Sequence, residues 1–289
     1  MYLPGFLCLL IFSYVPLYGL QLAFKTYSPA LGIWGSRWVG WENFKYAVLS
    51  RGFLDKVGNT LALGGLKIIF AFPSSIILAL MINELTKKHF KRVVQTISYL
   101  PYFISWVIVS SIVYMFLSVD GGVLNRIIIK FGGEEIFWYA EPKYWRGILT
   151  ISNIWKNVGW GTIVFLAALT SINQDLYEAA MCDGAGYMKR CLHITIPGIM
   201  PAIAMTFILS VAGIVKDDFE QIYALVGDSS ILSKTTEVLG TWIYKQLNGN
   251  SFTTWGDATA VGLVQSVAGF LLIIISNYLV SKTDNKGLW

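Results

Sequence analysis

Charge is what this 289-residue chain has least of: Asp, Glu, Lys and Arg together make up 13% of it, against about 25% in a typical globular domain. A pair of soluble domains of this length would need roughly twice that charge to solvate its surface. A soluble enzyme is therefore excluded. Histidine is nearly absent, with only His89 and His193, both in basic segments and without metal-ligand spacing. Three cysteines, Cys8, Cys182 and Cys191, make no even disulfide framework and read as reduced structural thiols. No G-x-x-x-x-G-K-[ST] loop occurs, so the chain does not hold ATP in the P-loop manner. H-E-x-x-H and G-x-S-x-G are also missing, and with them a zinc hydrolase or serine hydrolase site. No basic stripe with interleaved aromatics offers a nucleic-acid surface.

What is present is hydrophobic residue, 55% of the chain, with a mean hydropathy of +0.58. It is gathered into six runs: Leu3–Phe24, Thr60–Ile82, Ile97–Ser118, Ile148–Ile172, Ile199–Val226 and Ala258–Val280. Each reaches the roughly 20 residues that a helix needs to cross about 30 Å of hydrocarbon. A β-barrel would show ten-residue alternation instead, and backbone in lipid must satisfy its own hydrogen bonds. The expected fold is all-α: a polytopic bundle of six transmembrane helices forming one domain over residues 1–289. The first run lacks a basic leader and a small-residue cleavage site, so it reads as a span and not a signal peptide.

Positive charge sets the expected orientation. Lys87, Lys88, Lys91 and Arg92 crowd the connection after the second run, Lys189 and Arg190 that after the fourth, and Lys282 and Lys286 the tail. These segments and both termini are read as cytoplasmic. The outer connections are then Lys25–Asn59, Val119–Gly147 and Gly227–Asp257. Each falls below the roughly 40 residues under which chains seldom fold unaided, so no separate soluble ligand-binding domain is expected.

One cytoplasmic connection, residues 173–197, carries more information than the rest. Asp175 followed by Glu178 fits a capping-box-like helix start and predicts a short helix over Gln174–Cys182. Asp183-Gly184 is a turn dipeptide, a second short helix should begin near Ala185, and Pro197 should stop it. Leu176, Ala179, Ala180 and Ala185 form a small apolar face suited to a groove on a partner. A plain helical hairpin linking two spans would present the same face.

Glu178-Ala179-Ala180, Asp183-Gly184-Ala185, Ile194 and Pro197 resemble the EAAxxDGAxxxxxxxxIxxP signature of binding-protein-dependent ABC transporter permeases, with every fixed position filled. Cys182 and Cys191 stand where that family usually has an aliphatic residue and a Phe. Gly19–Tyr27, Gly32-Ile-Trp-Gly-Ser, Trp38-Val-Gly-Trp-Glu-Asn-Phe, Tyr99–Trp106, Asn153–Gly161, Phe219–Ile222 and the closing Gly287-Leu-Trp289 resemble its carbohydrate-uptake branch, of the aldouronate, alginate or pectin type. The resemblance implies a core permease region over about 57–281 and a type I importer in a bacterial cell membrane. Its partners would be a second permease (a paralogue), two ABC ATPases that hold ATP and Mg, an extracytoplasmic sugar-binding protein and an oligosaccharide. This chain would itself hold no cofactor and hydrolyse nothing. Glu178, Ala179, Ala180, Asp183, Gly184, Ala185 and Pro197 would then couple it to the ATPase.

Polar residues inside spans are functional candidates. Asn153, Trp155, Lys156, Asn157 and Trp160 in the fourth run combine aromatic faces with polar donors, as a sugar contact would. An interfacial aromatic belt with a snorkelling Lys reads the same residues structurally. Lys67 in the second run reads as structural or snorkelling. At the end of the fifth, Lys216-Asp217-Asp218-Phe219-Glu220-Gln221 cannot face lipid, so either the helix leaves the hydrocarbon near Gly213 or these groups line a wet path; ion pairing at an outer gate and sugar contact by Phe219, Glu220 and Gln221 are both open readings. Ala258, Gly262 and Ser266 should let another helix approach, and Gly64, Gly65 and Pro73 imply close packing and a kink. A permease for another solute class is the alternative. An ion-driven secondary transporter would show paired halves with broken helices, and no internal repeat is visible.

Overall fold

The computed structural model describes residues 2–50, 52–248 and 255–282; Lys286 and Gly287-Leu-Trp289 lie outside them. The long helices are α1 (Leu3–Phe24), α3 (Phe53–Asn83), α7 (Trp145–Thr170) and α13 (Trp255–Ser281). Between them run α2 (Glu42–Leu49), α4 (Lys88–Phe103), α5 (Trp106–Leu117), α6 (Val123–Lys130), α8 (Gln174–Cys182), α9 (Tyr187–Gly198), α10 (Met200–Ala212), α11 (Phe219–Val226) and α12 (Leu239–Asn248). The two short strands β1 (Lys25–Thr26) and β2 (Arg37–Trp38) pair antiparallel, Lys25 opposite Trp38.

Three described helices, α1, α3 and α13, are long and apolar enough to cross a bilayer, and the bent pairs α4–α5 and α9–α10 raise the number to five. The fourth expected span, α7, has 26 residues but is not among them. It carries Asn153, Lys156 and Asn157 because it is the inner helix of the bundle, where Asn153 and Lys156 are buried.

Two of the six expected runs are not continuous helices. The third breaks between α4 and α5 with a bend of 101°. Pro101 opens a tight final turn over Leu100–Phe103, Ile104 and Ser105 are extended, and the Ser105 hydroxyl accepts the Ile108 amide at 3.4 Å to restart the helix. The fifth ends at Ala212; residues 213–218 cross as non-helical chain, and α11 begins at Phe219. A carboxylate pair in mid-helix would have to face lipid, which the break avoids.

Proline shapes the remaining bends in one consistent way. Five-residue π turns lie at Leu10–Tyr14, Lys67–Ala71 and Cys191–Thr195. Each ends two residues before a proline: Pro16, Pro73 and Pro197. A proline ring collides with the carbonyl four residues back and lacks its own N–H. Widening the preceding turn to i→i+5 bonds relieves that collision without breaking the helix. The helix from Tyr187 therefore passes through Pro197 instead of stopping there. It turns by 65° one residue later, into α10.

Three apolar clusters hold the bundle. One packs Leu63, Trp145, Leu149, Ile222, Leu225, Leu232 and Val238, folding the connections expected to be outside onto the spans. A second joins Ala47, Phe53, Leu239, Trp242 and Val261. The inner one joins Ala79, Phe165, Leu169, Ile172 and Ile199. Polar ties fix the outer end: Arg146 Nη2 donates to Asn59 Oδ1 at 2.8 Å, and Glu237 takes Lys56 at 3.0 Å and Lys245 at 3.3 Å.

Glycine allows the closest approaches. A Cβ on Gly64 would lie 2.5 Å from the Ile214 carbonyl oxygen, and one on Gly159 would overlap that of Ser98. Within this chain, nothing lies within 4 Å of a Cβ placed on Gly262, the glycine of the expected stripe on α13. Gly159→Ala should therefore destabilise the detergent-solubilised protein. Overpacking against rigid backbone costs about 1–3 kcal/mol, against a helix-propensity gain of about 1 kcal/mol. Gly262→Ala should be neutral or slightly stabilising. Equal thermal unfolding temperatures for the two variants would contradict this packing.

Candidate functional site: a capped hairpin and a central cavity

The hairpin after α7 is built from its caps. Asn173, one residue before the helix, accepts the Asp175 amide at 3.0 Å through Oδ1, so Asn173 and not Asp175 is the N-cap. Helix α8 then runs over Gln174–Cys182 as the spacing predicts. Its far end closes with the Ala185 amide on the Ala180 carbonyl at 2.8 Å and the Gly184 amide on that of Met181 at 3.0 Å. Those paired bonds form a Schellman cap, and they place Gly184 at φ +73°, where a side chain is strained.

Tyr177 pins the hairpin to the bundle. Its ring joins the inner cluster and its hydroxyl lies 3.0 Å from Thr195 Oγ1. Glu178, Ala179, Asp183, Gly184 and Pro197 are exposed, while Ala180 and Ala185 are half-buried. Around them four large apolar side chains, Leu176, Met181, Met188 and Leu192, are each more than half exposed. Sequence reasoning named Leu176 with the alanines and missed Met181, Met188 and Leu192, because exposed Met and Leu in an apolar chain carry no signal of their own.

Among α3, α7, α10 and the 213–218 crossing lies an open cavity of about 570 Å³, within the roughly 300–1,000 Å³ range of small-molecule sites. Asn157 and Trp160 line it, as do Tyr102, Ser75, Thr206 and Ser210. Tyr102 and Trp160 stack face to face, centroids 4.4 Å apart and planes within 6°. Such a wall combines an aromatic plane, hydroxyls and an amide, which suits a ligand with apolar ring faces and hydroxyl edges.

The other predicted pathway residues lie elsewhere. Asn153 is buried and donates to Asp218 Oδ2 at 2.9 Å and Gln221 Oε1 at 3.1 Å; Gln221 in turn donates to the Leu149 carbonyl at 2.6 Å. Lys156 does not snorkel. Its ammonium donates to the Tyr102 carbonyl at 2.6 Å, satisfying an acceptor freed by the bend in the third run. Trp155 faces a separate apolar groove with Val109 and Phe116. Phe219 stacks on Tyr223 and meets Tyr244, and Glu220 is exposed outside the cavity lining.

Ion pairing at the end of the fifth run is an open reading of the sequence, but the sequence does not identify Lys67 as the partner: its Nζ lies 2.5 Å from Asp218 Oδ2 at the cavity edge. Asp217 turns the other way, accepting the Gly240 amide at 2.6 Å and the Gln265 side chain at 3.3 Å. No group of three His, Cys, Asp or Glu side chains among the described residues is placed to hold a metal.

Residues 71–285 match the model of a family described as the binding-protein-dependent transport system inner membrane component. The chain is 42% identical to Protein LplB of Bacillus subtilis (strain 168), over 99% of this chain and 89% of that protein. It is 38% identical to the polygalacturonan/rhamnogalacturonan transport system permease protein YteP of the same organism, over 100% and 89%. A chain in the crystal structure of a bacterial alginate ABC transporter, in complex with an alginate pentasaccharide-bound periplasmic protein, superposes with a TM-score of 0.88 at 37% identity. That match covers 100% of this chain and 95% of the other.

The role found for Lys156 has a direct check. Lys156→Met leaves the Tyr102 carbonyl without its donor and should cost about 1–3 kcal/mol. Lys143→Met, at an exposed outer-loop position, should change stability by less than about 0.5 kcal/mol. Thermal unfolding of the purified variants measures both, and a harmless Lys156→Met would remove Lys156 from the bend.

Proposed function

The chain belongs to the binding-protein-dependent transport system inner membrane component family, and from that premise we propose that it is one permease subunit of an ATP-driven oligosaccharide importer. It sits as a multi-pass protein in a bacterial cell membrane with both termini in the cytoplasm. A paralogous permease completes the pathway, two cytoplasmic ATPases supply ATP hydrolysis with Mg, and an extracytoplasmic binding protein delivers the sugar. The chain is not itself an enzyme. Carbohydrate as cargo is supported by the relatives, which include a polygalacturonan/rhamnogalacturonan permease and an alginate transporter, and by the hydroxyl- and aromatic-lined cavity.

The observation that carries the reading is the capped hairpin. Helix α8 is held between two stops, Asn173 and Gly184, with Glu178, Ala179 and Asp183 exposed inside a rim of large apolar side chains. A short, stiff helix with an apolar rim fits a groove on a partner, and its small residues let the partner's backbone come close. Its carboxylate at Glu178 offers a charge for a basic group. Nucleotide-driven closure of the ATPases moves the docked hairpin, and with it the spans, as bodies in a rigid-body switch.

Gly184→Pro removes the amide bonded to Met181 and demands a φ near −65° where the chain has +73°. Glu178→Lys inverts the exposed charge. Either change is expected to reduce substrate-stimulated ATP hydrolysis of the reconstituted complex at least tenfold while the subunit still assembles in the membrane. A cysteine at Ala180, with Cys182 and Cys191 replaced, should cross-link to the ATPase. Normal coupling in both variants, or no cross-link, would refute this role for the hairpin.

A further inference from the structure

Three cations of this chain fall inside its apolar runs: Lys67, Lys156 and Lys216. A charge at membrane depth is retained only where it is paired or functional. Two of the three are consumed within the fold. Lys67 holds Asp218, and Lys156 holds the Tyr102 carbonyl. Lys216 makes no ion pair or hydrogen bond among the described residues, and it is exposed. It stands between two open spaces: the central cavity, and a second of about 590 Å³ bounded by Gln265, Ser266 and Phe270.

The carboxylates around Lys216 are already committed. Asp217 is turned to the Gly240 amide and Gln265. Asp218 is shared between Lys67 and Asn153. Glu220, on α11, is exposed and does not line the cavity. The Lys67–Asp218 pair cancels, so the central cavity keeps one uncompensated positive charge, beside hydroxyls and the exposed indole of Trp160.

We propose that Lys216 is the group by which this cavity recognises a carboxylate on its sugar, so that the permease is built for acidic, uronate-bearing oligosaccharides over neutral ones. This rests on the carbohydrate reading above and narrows it. A neutral sugar gains nothing from a free ammonium that a hydroxyl would not supply. A carboxylate makes a charge-assisted hydrogen bond with it, about twice as strong as a neutral one. The indole then takes the pyranose face while the ammonium takes the carboxylate at the ring edge.

The test uses the whole complex, with its ATPases and binding protein, in proteoliposomes. The probes are trisaccharides of galacturonate and of mannuronate, and the same sugars with their carboxyl groups reduced to alcohols. The readout is the ratio of acidic to reduced uptake, each variant's ratio divided by that of the wild type so that the binding protein's own preference cancels. If the binding protein refuses the reduced sugar, equilibrium dialysis against the permease–ATPase complex alone gives the same ratio.

Lys216→Gln should lower the ratio about tenfold through a higher KM for the acidic sugar. Lys216→Arg should keep it within about twofold, as should the outer-loop control Lys143→Gln. An unchanged ratio in Lys216→Gln overturns the proposal, and so does an equal loss of both sugars in Lys216→Gln and Lys216→Arg, which would mark Lys216 as structural or lipid-facing. A wild-type ratio near one overturns it too while leaving the carbohydrate reading standing. A wild type that takes up none of the four sugars overturns the carbohydrate reading, and this proposal with it.

Discussion

Pairing charge inside a hydrocarbon-spanning bundle is the constraint on which the rest of this structure depends, and it is met at Asp218, a partly exposed carboxylate at the cavity edge. That carboxylate lies in the crossing between α10 and α11 and takes both the Lys67 ammonium and the Asn153 amide. Sharing it joins the second, fourth and fifth runs at one point. Gln221, one turn into α11, extends the tie by donating to the Leu149 carbonyl and Ser152. The fifth run breaks at residues 213–218, and the opened chain turns Asp217 to the Gly240 amide and Asp218 to Lys67 and Asn153.

Backbone obeys the same rule as side chains. Two carbonyls freed where a helix opens are met from a neighbouring element: that of Tyr102 by Lys156 and that of Val215 by Gln265. Where the interruption is a proline within a helix, no outside partner is needed, because the π turn before it re-pairs the backbone internally. The two remedies produce different geometries. The π turns leave α3 running as one helix of 31 residues, whereas the opened segments turn the chain by 101° in the third run and end the fifth.

The apolar runs and the hairpin were legible because they depend on local chemistry. Span length follows from bilayer thickness, and α8 follows from turn residues and helical spacing, so its bounds came out residue for residue. The breaks were not legible. Hydropathy is an average, and Ile97–Ser118 averages as apolar whether or not it bends at Pro101. Pro197 was expected to stop a helix, but a wider turn was available ahead of it. Asp175 and Asn173 both qualify as caps by type, and only the backbone shows which one receives the amide. The roles of Asn153, Lys156 and Gln221 were hidden for a related reason. A polar residue in a span announces that it has a partner, but the partner lies between 54 and 72 residues away in sequence.

What remains is how the exposed hairpin and the cavity belong to one device. The inner apolar cluster contains Tyr177 and Ile194 from the hairpin arms, Ile172 and Ile199 where those arms meet the spans, and then Phe165, Ala79 and Phe72. Phe72 and Phe165 are also cavity lining. They meet edge to face at 6.2 Å, and Phe72 meets Phe207 of α10 at 5.6 Å. Close-packed side chains do not compress, so a displacement of α8 has to move Tyr177, and through it the aromatic floor on which the cavity rests. The polar junction at Asp218 closes the other end of the same helices. The cavity is thus held between a floor that answers to the hairpin and a rim that answers to one ion pair, and a push on the hairpin reaches the cavity through its floor.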